Sequence, residues 1–339
     1  MQTKRIGYVD SLKGIAIIFV IIGHLLQYVF YPSTFDDSHL YRYIYSFHMP
    51  FFMIISGFTI RVKADYRDKL FKMIGKRFFN LIIPFISWAI LKNICFRGPT
   101  LLEVIKNPTN GLWFLYALFF IYSIFILTFY ATWKLNTIIR YSLFVAVVIL
   151  LKMSALKVSH FGLPQISNLF IFFFLGHLVS TYKDVIVRKR NLKYLWITVP
   201  IFFVLGYFWH RIPMTTTGAD LLDVITNSFI YRMTIVVAAS FSLFLLFYQF
   251  EKNLQKTRLE EIGKITLGIY AVHQIFIKLS FSLPSSAISF LHSNVLGQIL
   301  MFILVLVLSV MAVFLLNRNK IFAFVFLGKI PRKALRKSQ

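Results

Sequence analysis

The feature that most constrains this chain is a series of about ten apolar segments, each near the length of a membrane span. A transmembrane helix needs roughly 20 mostly apolar residues to cross the hydrocarbon core. The segments lie at 11–31, 44–60, 77–96, 112–131, 137–152, 166–181, 194–209, 227–248, 265–281 and 295–316. They predict an all-α, polytopic membrane protein. The fifth and sixth are short, so we expect one of them to be tilted or broken.

Composition supports this class. The 339 residues are 58% hydrophobic and 14% charged, which excludes a soluble globular domain. The first apolar run is too long for a cleavable signal peptide and no small-residue cleavage site follows it. The single cysteine, Cys95, cannot form an intrachain disulfide. We expect one membrane domain over residues 1–339, with a basic cytoplasmic tail at 317–339.

The basic residues predict topology. The formal net charge is +25, but lysines and arginines lie between apolar segments, which argues against a nucleic-acid partner. With a cytoplasmic N-terminus, roughly 27 of them fall inside and about six outside, as the positive-inside rule requires. Both termini are therefore predicted to be cytoplasmic. The predicted outer connections carry acidic residues instead, namely Asp36, Asp37, Asp220 and Asp223.

The first apolar segment carries three ionisable side chains, Asp10, Lys13 and His24. Ionisable groups at membrane depth are costly, so they mark functional sites by default. Eleven residues separate Lys13 from His24, which puts both on one helix face about 16 Å apart along the axis. A cation near the cytoplasmic end and an imidazole deeper in the membrane suit a long anionic donor. Each residue also has a simpler interpretation: Asp10 as N-cap, Lys13 snorkelling to headgroups, and His24 bonded to a neighbouring helix.

The densest basic connection is RVKADYRDKLFKMIGKRFFNLIIP at 61–84. Topology and anionic lipid headgroups account for most of it. Lys76 and Arg77 are predicted to open the third helix, which Pro84 then punctuates. An arginine there can bind a phosphate through two parallel hydrogen bonds. These two residues are therefore candidates for a phosphate site.

Histidines recur in later segments. His48 precedes Pro50, which is predicted to break or kink the second helix, and a backbone carbonyl is the simpler partner for this imidazole. Tyr270 and His273 are spaced i, i+3 on one helix face. Arg232 in the eighth helix requires a counter-charge or a carbonyl partner.

Trp113 opens the fourth helix together with Tyr116. Both positions suit the aromatic belt at the outer interface. Trp113 is nevertheless kept as a candidate contact for a substrate, together with Tyr270 and Arg232.

Five stretches stand out when taken in order along the chain. They are the Asp10, Lys13, His24 pattern, SFHMPFFMIISGF (46–58), KRFFNLIIP (76–84), GLWFLYAL (111–118) and the run 263–274. Together they resemble the integral-membrane acyltransferase family 3, and the second stretch resembles its branch related to fucose O-acetylases. Lys13 stands where the family usually has arginine, which keeps the charge but loses the planar fork.

The resemblance implies about ten helices in a bacterial cytoplasmic membrane, in contact with membrane lipids. It implies acyl-coenzyme A, most simply acetyl-CoA, as the cytoplasmic donor, with no metal. The acceptor it implies is a hydroxyl of a cell-surface polysaccharide or lipid-linked glycan. It puts the catalytic role on His24 and contact with the coenzyme at Lys13.

As a hypothesis, His24 is the general base that takes the proton of the sugar hydroxyl. Asp10, His48 and His273 are further candidates for the catalytic site. Lys13, Lys76 and Arg77 are candidates for the coenzyme phosphates. The pantetheine arm is predicted to run along the first helix, where Gly14 and Gly23 leave room. A covalent acyl-histidine stays open beside direct transfer.

Other interpretations stay open at this point. Succinyl transfer is an alternative to acetyl transfer. A transporter or export protein for a lipid-linked sugar would use His24, His48 and His273 without a donor, although matching interrupted helices are not evident. A structural subunit of a polysaccharide synthase would use the histidines only for packing.

Overall fold

A computed structural model describes residues 6–62, 64–211, 228–254 and 257–330. Asp220, Asp223 and the end of the basic tail lie outside this part. Within it the chain forms helices and connections, with no strand. The helices are α1 (Gly7–Leu25), α2 (His39–Phe58), α3 (Leu70–Phe96), α4 (Leu101–Lys106), α5 (Trp113–Ala131), α6 (Thr137–Lys157), α7 (Leu163–Thr181), α8 (Lys183–Ile186), α9 (Leu195–Phe208), α10 (Phe229–Gln249), α11 (Glu251–Leu254), α12 (Arg258–Lys264), α13 (Thr266–Leu279), α14 (Ser285–Ser293), α15 (Val295–Arg318) and α16 (Lys320–Leu327).

Among the described residues, eight helices are long and apolar enough to cross a membrane, and the bent pair α12–α13 would make a ninth. The all-α polytopic fold is thus confirmed. The second predicted segment forms α2, which is 20 residues long but falls below this apolarity because it carries His39, Arg42 and His48. This helix continues through Pro50, where a break or kink was predicted. Membrane helices tolerate proline because neighbouring groups can satisfy the carbonyl it frees.

The broken span is not one of the two short segments. The helices α6 and α7 are 21 and 19 residues long. The break comes instead at Ile265, where α12 and α13 meet at 87°. The ninth predicted segment forms α13, and α12 precedes it at a sharp bend. Neither the fifth nor the sixth segment is broken, because their helices extend beyond the predicted apolar runs.

The chain forms two compact units. The first comprises residues 1–55 and 181–312, and the second comprises 56–180 and 313–339. In the first, α1 packs mainly on α12 and also contacts α10, α11 and α13, while α9 packs on α10. In the second, α3 contacts α4, α5 and α16. Most of α1 is buried, whereas nearly all residues of α6 and α9 are at least partly exposed.

Candidate active site in the first unit

The first unit brings together two histidines that lie 249 residues apart in the chain. His24 is in the last turn of α1, and His273 is in α13. His24 Nδ1 lies 2.8 Å from His273 Nε2, and the two rings are within 4° of parallel. His273 is fully buried, while His24 is half-buried. A turn of π-helix over Leu26–Phe30 follows immediately, a distortion often found at functional sites.

The hydrogen bonds of this pair assign its protons. His273 Nδ1 lies 3.0 Å from the Ile269 carbonyl, which can only accept, so this nitrogen carries the proton and donates. In a neutral His273 the other nitrogen, Nε2, is then an acceptor. His24 Nδ1 must therefore donate to it, which leaves Nε2 of His24 as the nitrogen that can take a proton. A carbonyl in α13 thus orients the imidazole in α1.

Two glycines bring these helices together. A Cβ on Gly263 would lie 1.7 Å from the carbonyl oxygen of Asp10, and a Cβ on Gly14 would lie 2.2 Å from that of Leu259. The backbones of α1 and α12 therefore touch at both positions. A Cβ on Gly23 would lie 2.7 Å from the Tyr45 ring. The prediction that Gly14 and Gly23 leave room for a pantetheine arm is wrong, because neighbouring parts of the protein occupy both spaces.

The cationic residue of α1 is paired within its own helix. Lys13 Nζ lies 3.0 Å from Asp10 Oδ1, with Asp10 buried and Lys13 about one-third exposed. The other carboxylate oxygen of Asp10, Oδ2, is buried without a hydrogen-bond partner among the described residues. Asp10 was expected as the N-cap, but Ile6 holds that position because the helix begins at Gly7, four residues before the predicted segment. The α1 register still puts Lys13 and His24 on one face.

His48 is buried, and its Nδ1 lies 2.8 Å from the Ile44 carbonyl, so the simpler expectation for this residue is confirmed. Its ring also lies 4.8 Å from that of Tyr45. The Tyr45 hydroxyl donates to Gln27 at 2.5 Å. His48 thus belongs to an aromatic cluster beside the end of α1, and the contacts described for it do not include the His24–His273 pair.

Two further candidates of the first unit, Tyr270 and Arg232, differ in whether a contact is seen for them. The Tyr270 ring is 5.9 Å from that of His273, as the i, i+3 spacing predicted, and Tyr270 is buried. The Nε of Arg232 is excluded from solvent and has no hydrogen-bond partner within the described part of the chain. Its expected carbonyl or counter-charge is therefore not among those residues.

Three candidates belong to the second unit. Arg77 lies 4.8 Å above the Tyr122 ring, and Lys76 is exposed. These two do not open their helix, since α3 begins at Leu70 and runs on through Pro84. Trp113 is the first residue of α5 and is half-buried.

Sequence reasoning missed a group of residues beside the end of α1. The Arg211 guanidinium donates to the Tyr41 hydroxyl at 3.1 Å and lies 5.9 Å from the centre of the Tyr45 ring. Its backbone N–H also bonds the Asp36 carboxylate. Burial raises the pKa of Asp36, and the hydrogen bond from Arg211 lowers it in part. The only available signal was an arginine in a predicted outer connection that is otherwise acidic.

The fold and this site define an all-α, multi-pass membrane protein with a hydrogen-bonded histidine pair between two of its helices. The chain belongs to acyltransferase family 3, whose sequence model, described as an acyltransferase domain, matches residues 6–318. The family expected from the five motifs is thereby confirmed.

Two curated relatives are similar over part of the chain. The nodulation protein NolL of Mesorhizobium japonicum is 36% identical over 121 residues, and NolL of Sinorhizobium fredii is 38% identical over 119 residues. Each match covers 32% of this chain and 32% of the relative. The chain thus spans about a third of the length of the curated relatives it matches. No solved structure matches it significantly.

Proposed function

We propose that this protein transfers an acyl group, in the first place acetyl, from acyl-coenzyme A to a hydroxyl of a cell-surface polysaccharide or lipid-linked glycan. His24 is the general base of this reaction, and the donor arrives from the cytoplasmic side of a bacterial cytoplasmic membrane. Membership of the acyltransferase family supports acyl transfer. The observation that carries the residue assignment is the hydrogen bond between His24 and His273.

A catalytic histidine that acts as a base generally needs a neighbouring group that holds its imidazole in the productive tautomer. Here His273 accepts from Nδ1 of His24 and is itself oriented by the Ile269 carbonyl. Nε2 of His24 is then the proton acceptor. The neutral His273 also stabilises the imidazolium that forms, because its hydrogen bond becomes charge-assisted. His273 is accordingly a positioning residue.

In the proposed step, Nε2 of His24 takes the proton of the acceptor hydroxyl as its oxygen attacks the thioester carbonyl. The new C–O ester bond forms and the C–S bond breaks. The imidazolium then returns the proton to the departing coenzyme thiolate. Atoms and charges balance without a metal or a redox partner.

Binding of the donor is assigned to Lys13 on the first unit. Lys13 lies on the face of α1 that also carries His24. Since Lys13 is paired with Asp10, a coenzyme phosphate would have to compete with this carboxylate. The pair therefore limits how strongly Lys13 binds an anion and keeps its ammonium group in a fixed place.

The test is acetylation of surface glycan in a deletion strain that expresses each variant at matched membrane abundance. His24→Ala should abolish acetylation while the purified protein still binds acetyl-CoA. His160→Ala is the matched control, because this histidine is exposed on the second unit. Near-normal acetylation by His24→Ala would refute the assignment, and unchanged glycan in the deletion strain itself would refute the proposed function.

A further inference from the structure

The proposed reaction assigns no partner to the buried side chain of Arg232. Its Nε is buried without a hydrogen-bond partner in the described ranges, and no ion pair to it occurs there. A guanidinium at membrane depth is costly unless an anion or several acceptors surround it. The position of Arg232 in α10 therefore calls for a partner from outside these residues.

A second guanidinium increases the local positive charge. The charge of Arg211 acts on Arg232, so the two groups lie within electrostatic range of each other. Both charges also act on the buried His48. Arg211 is exposed, so the pair extends from solvent to the interior of the first unit. Asp36 is the acidic neighbour of Arg211, but it accepts the backbone N–H of this residue and is also shared with Arg42.

Arg211 is close to the end of α1 that carries the proposed base. The Tyr45 ring lies beneath Arg211 and against His48. The same ring packs on Gly23, the residue before His24. One aromatic side chain therefore separates Arg211 from the end of α1 that carries the imidazole.

We propose that Arg232 and Arg211 bind an anionic group of the acceptor, so that the substrate is a negatively charged glycan. This inference rests on the proposed function. Guanidinium groups bind planar oxyanions through paired hydrogen bonds, and both a carboxylate and a phosphate present such oxygens. A uronic acid and a sugar phosphate are the two possible sources. The hydroxyl to be acylated would then lie on the same or an adjacent sugar.

The test measures binding by the purified protein in phosphatidylcholine nanodiscs. The probes are glucose 1-phosphate, methyl glucuronide and methyl glucoside, which carry a phosphate, a carboxylate and no charge. Wild type should bind at least one anionic probe more tightly than the neutral one, and the preferred anion identifies the source. Arg232→Gln and, independently, the exposed Arg211→Gln should weaken anion binding by about tenfold to a hundredfold, the range typical of a lost charge-assisted hydrogen bond.

Arg318→Gln removes the same charge at an exposed position and should leave binding unchanged. Arg232→Lys keeps the charge without the fork and should give an intermediate affinity. Equal binding of the three probes, or full anion binding by both glutamine variants, would overturn the proposal. So would loss of binding when phosphatidylglycerol replaces phosphatidylcholine, because a lipid headgroup would then be the occupant.

The chain itself offers one other source of negative charge. If wild type binds neither anion while Asp220→Asn combined with Asp223→Asn does, these aspartates neutralise the arginines and the proposal is overturned. Binding of acetyl-CoA is measured on the same samples. Anion binding without acetyl-CoA binding would refute the proposed function alone, whereas acetyl-CoA binding without anion preference would refute only the anionic acceptor.

Discussion

At the scale of single residues, the proposed chemistry depends on which nitrogen of His24 carries a proton. The hydrogen-bond partners of this imidazole determine that position. The Ile269 carbonyl, His273 and His24 form a chain of two hydrogen bonds. Each bond determines which nitrogen of the next imidazole carries its proton. Without these partners, the tautomer and the orientation of the His24 imidazole would vary.

The first prediction separates the roles of the two histidines. His24→Ala should lower the turnover number by about a hundred- to ten-thousandfold, the usual contribution of a general base, with little change in donor affinity. His273→Ala should lower it less, since His24 remains. His273→Gln should restore part of the loss, because its amide oxygen can accept from Nδ1 of His24. Steady-state kinetics with purified protein measures all three, and an inactive His273→Gln with an active His273→Ala would contradict the positioning role.

The second prediction concerns Lys13. Lys13→Ala should weaken binding of acetyl-CoA, and Lys13→Arg should preserve or improve it, since arginine adds a planar fork for phosphate. Asp10→Asn serves as the counterpart, because it frees the ammonium group from its carboxylate and should strengthen donor binding. Calorimetry on purified protein gives the dissociation constants. Wild-type affinity in Lys13→Ala would show that the cation is only a structural partner of Asp10.

At the scale of elements, the site exists because α12 packs backbone to backbone against α1. The contact needs a missing side chain on each helix, Gly14 on α1 and Gly263 on α12. The 87° break at Ile265 then changes the direction of the chain, so that α13 presents His273 to His24. A straight helix over the same residues could not make both contacts.

The third prediction tests this packing. Gly263→Ala puts a Cβ at 1.7 Å from the Asp10 carbonyl, so the two helices must separate. We expect a loss of stability of at least the roughly 1–3 kcal/mol typical of overpacking. Gly75→Ala is the control, since a Cβ there meets nothing within 4 Å and alanine favours a helix. Thermal unfolding followed by size-exclusion chromatography compares them, and equal behaviour of the two variants would contradict the close helix contact.

At the scale of the whole molecule, orientation in the membrane follows from the distribution of basic residues. Reporter fusions after Lys69, Lys189 and Lys329 should report cytoplasm, and fusions after Asp37 and Asp220 should report the outside. Asp220 lies in the part of the chain that the structure leaves undescribed, so this fusion adds independent information. A cytoplasmic signal at Asp220 would contradict the predicted topology, and with it the arrival of donor and acceptor from opposite sides.

Sequence alone was sufficient for the class of fold and for part of the candidate site. Span length and hydropathy are local properties, and they predicted the all-α membrane protein and the helix that carries Lys13 and His24. The i, i+3 spacing of Tyr270 and His273 was equally local. Because the geometry of an α-helix is regular, the relative positions of residues that are close in the chain can be predicted without a structure.

Only the tertiary structure decided which residues meet across the chain. It paired His24 with His273, filled the spaces at Gly14 and Gly23, and placed Arg211 over the Tyr45 ring. It also continued α2 through Pro50 and set α12 at 87° to α13 at Ile265. Hydropathy reports how well a segment suits the membrane but carries no information on its neighbours. Side-chain volume and backbone approach between distant segments determine those contacts, and they exist only once the helices are packed.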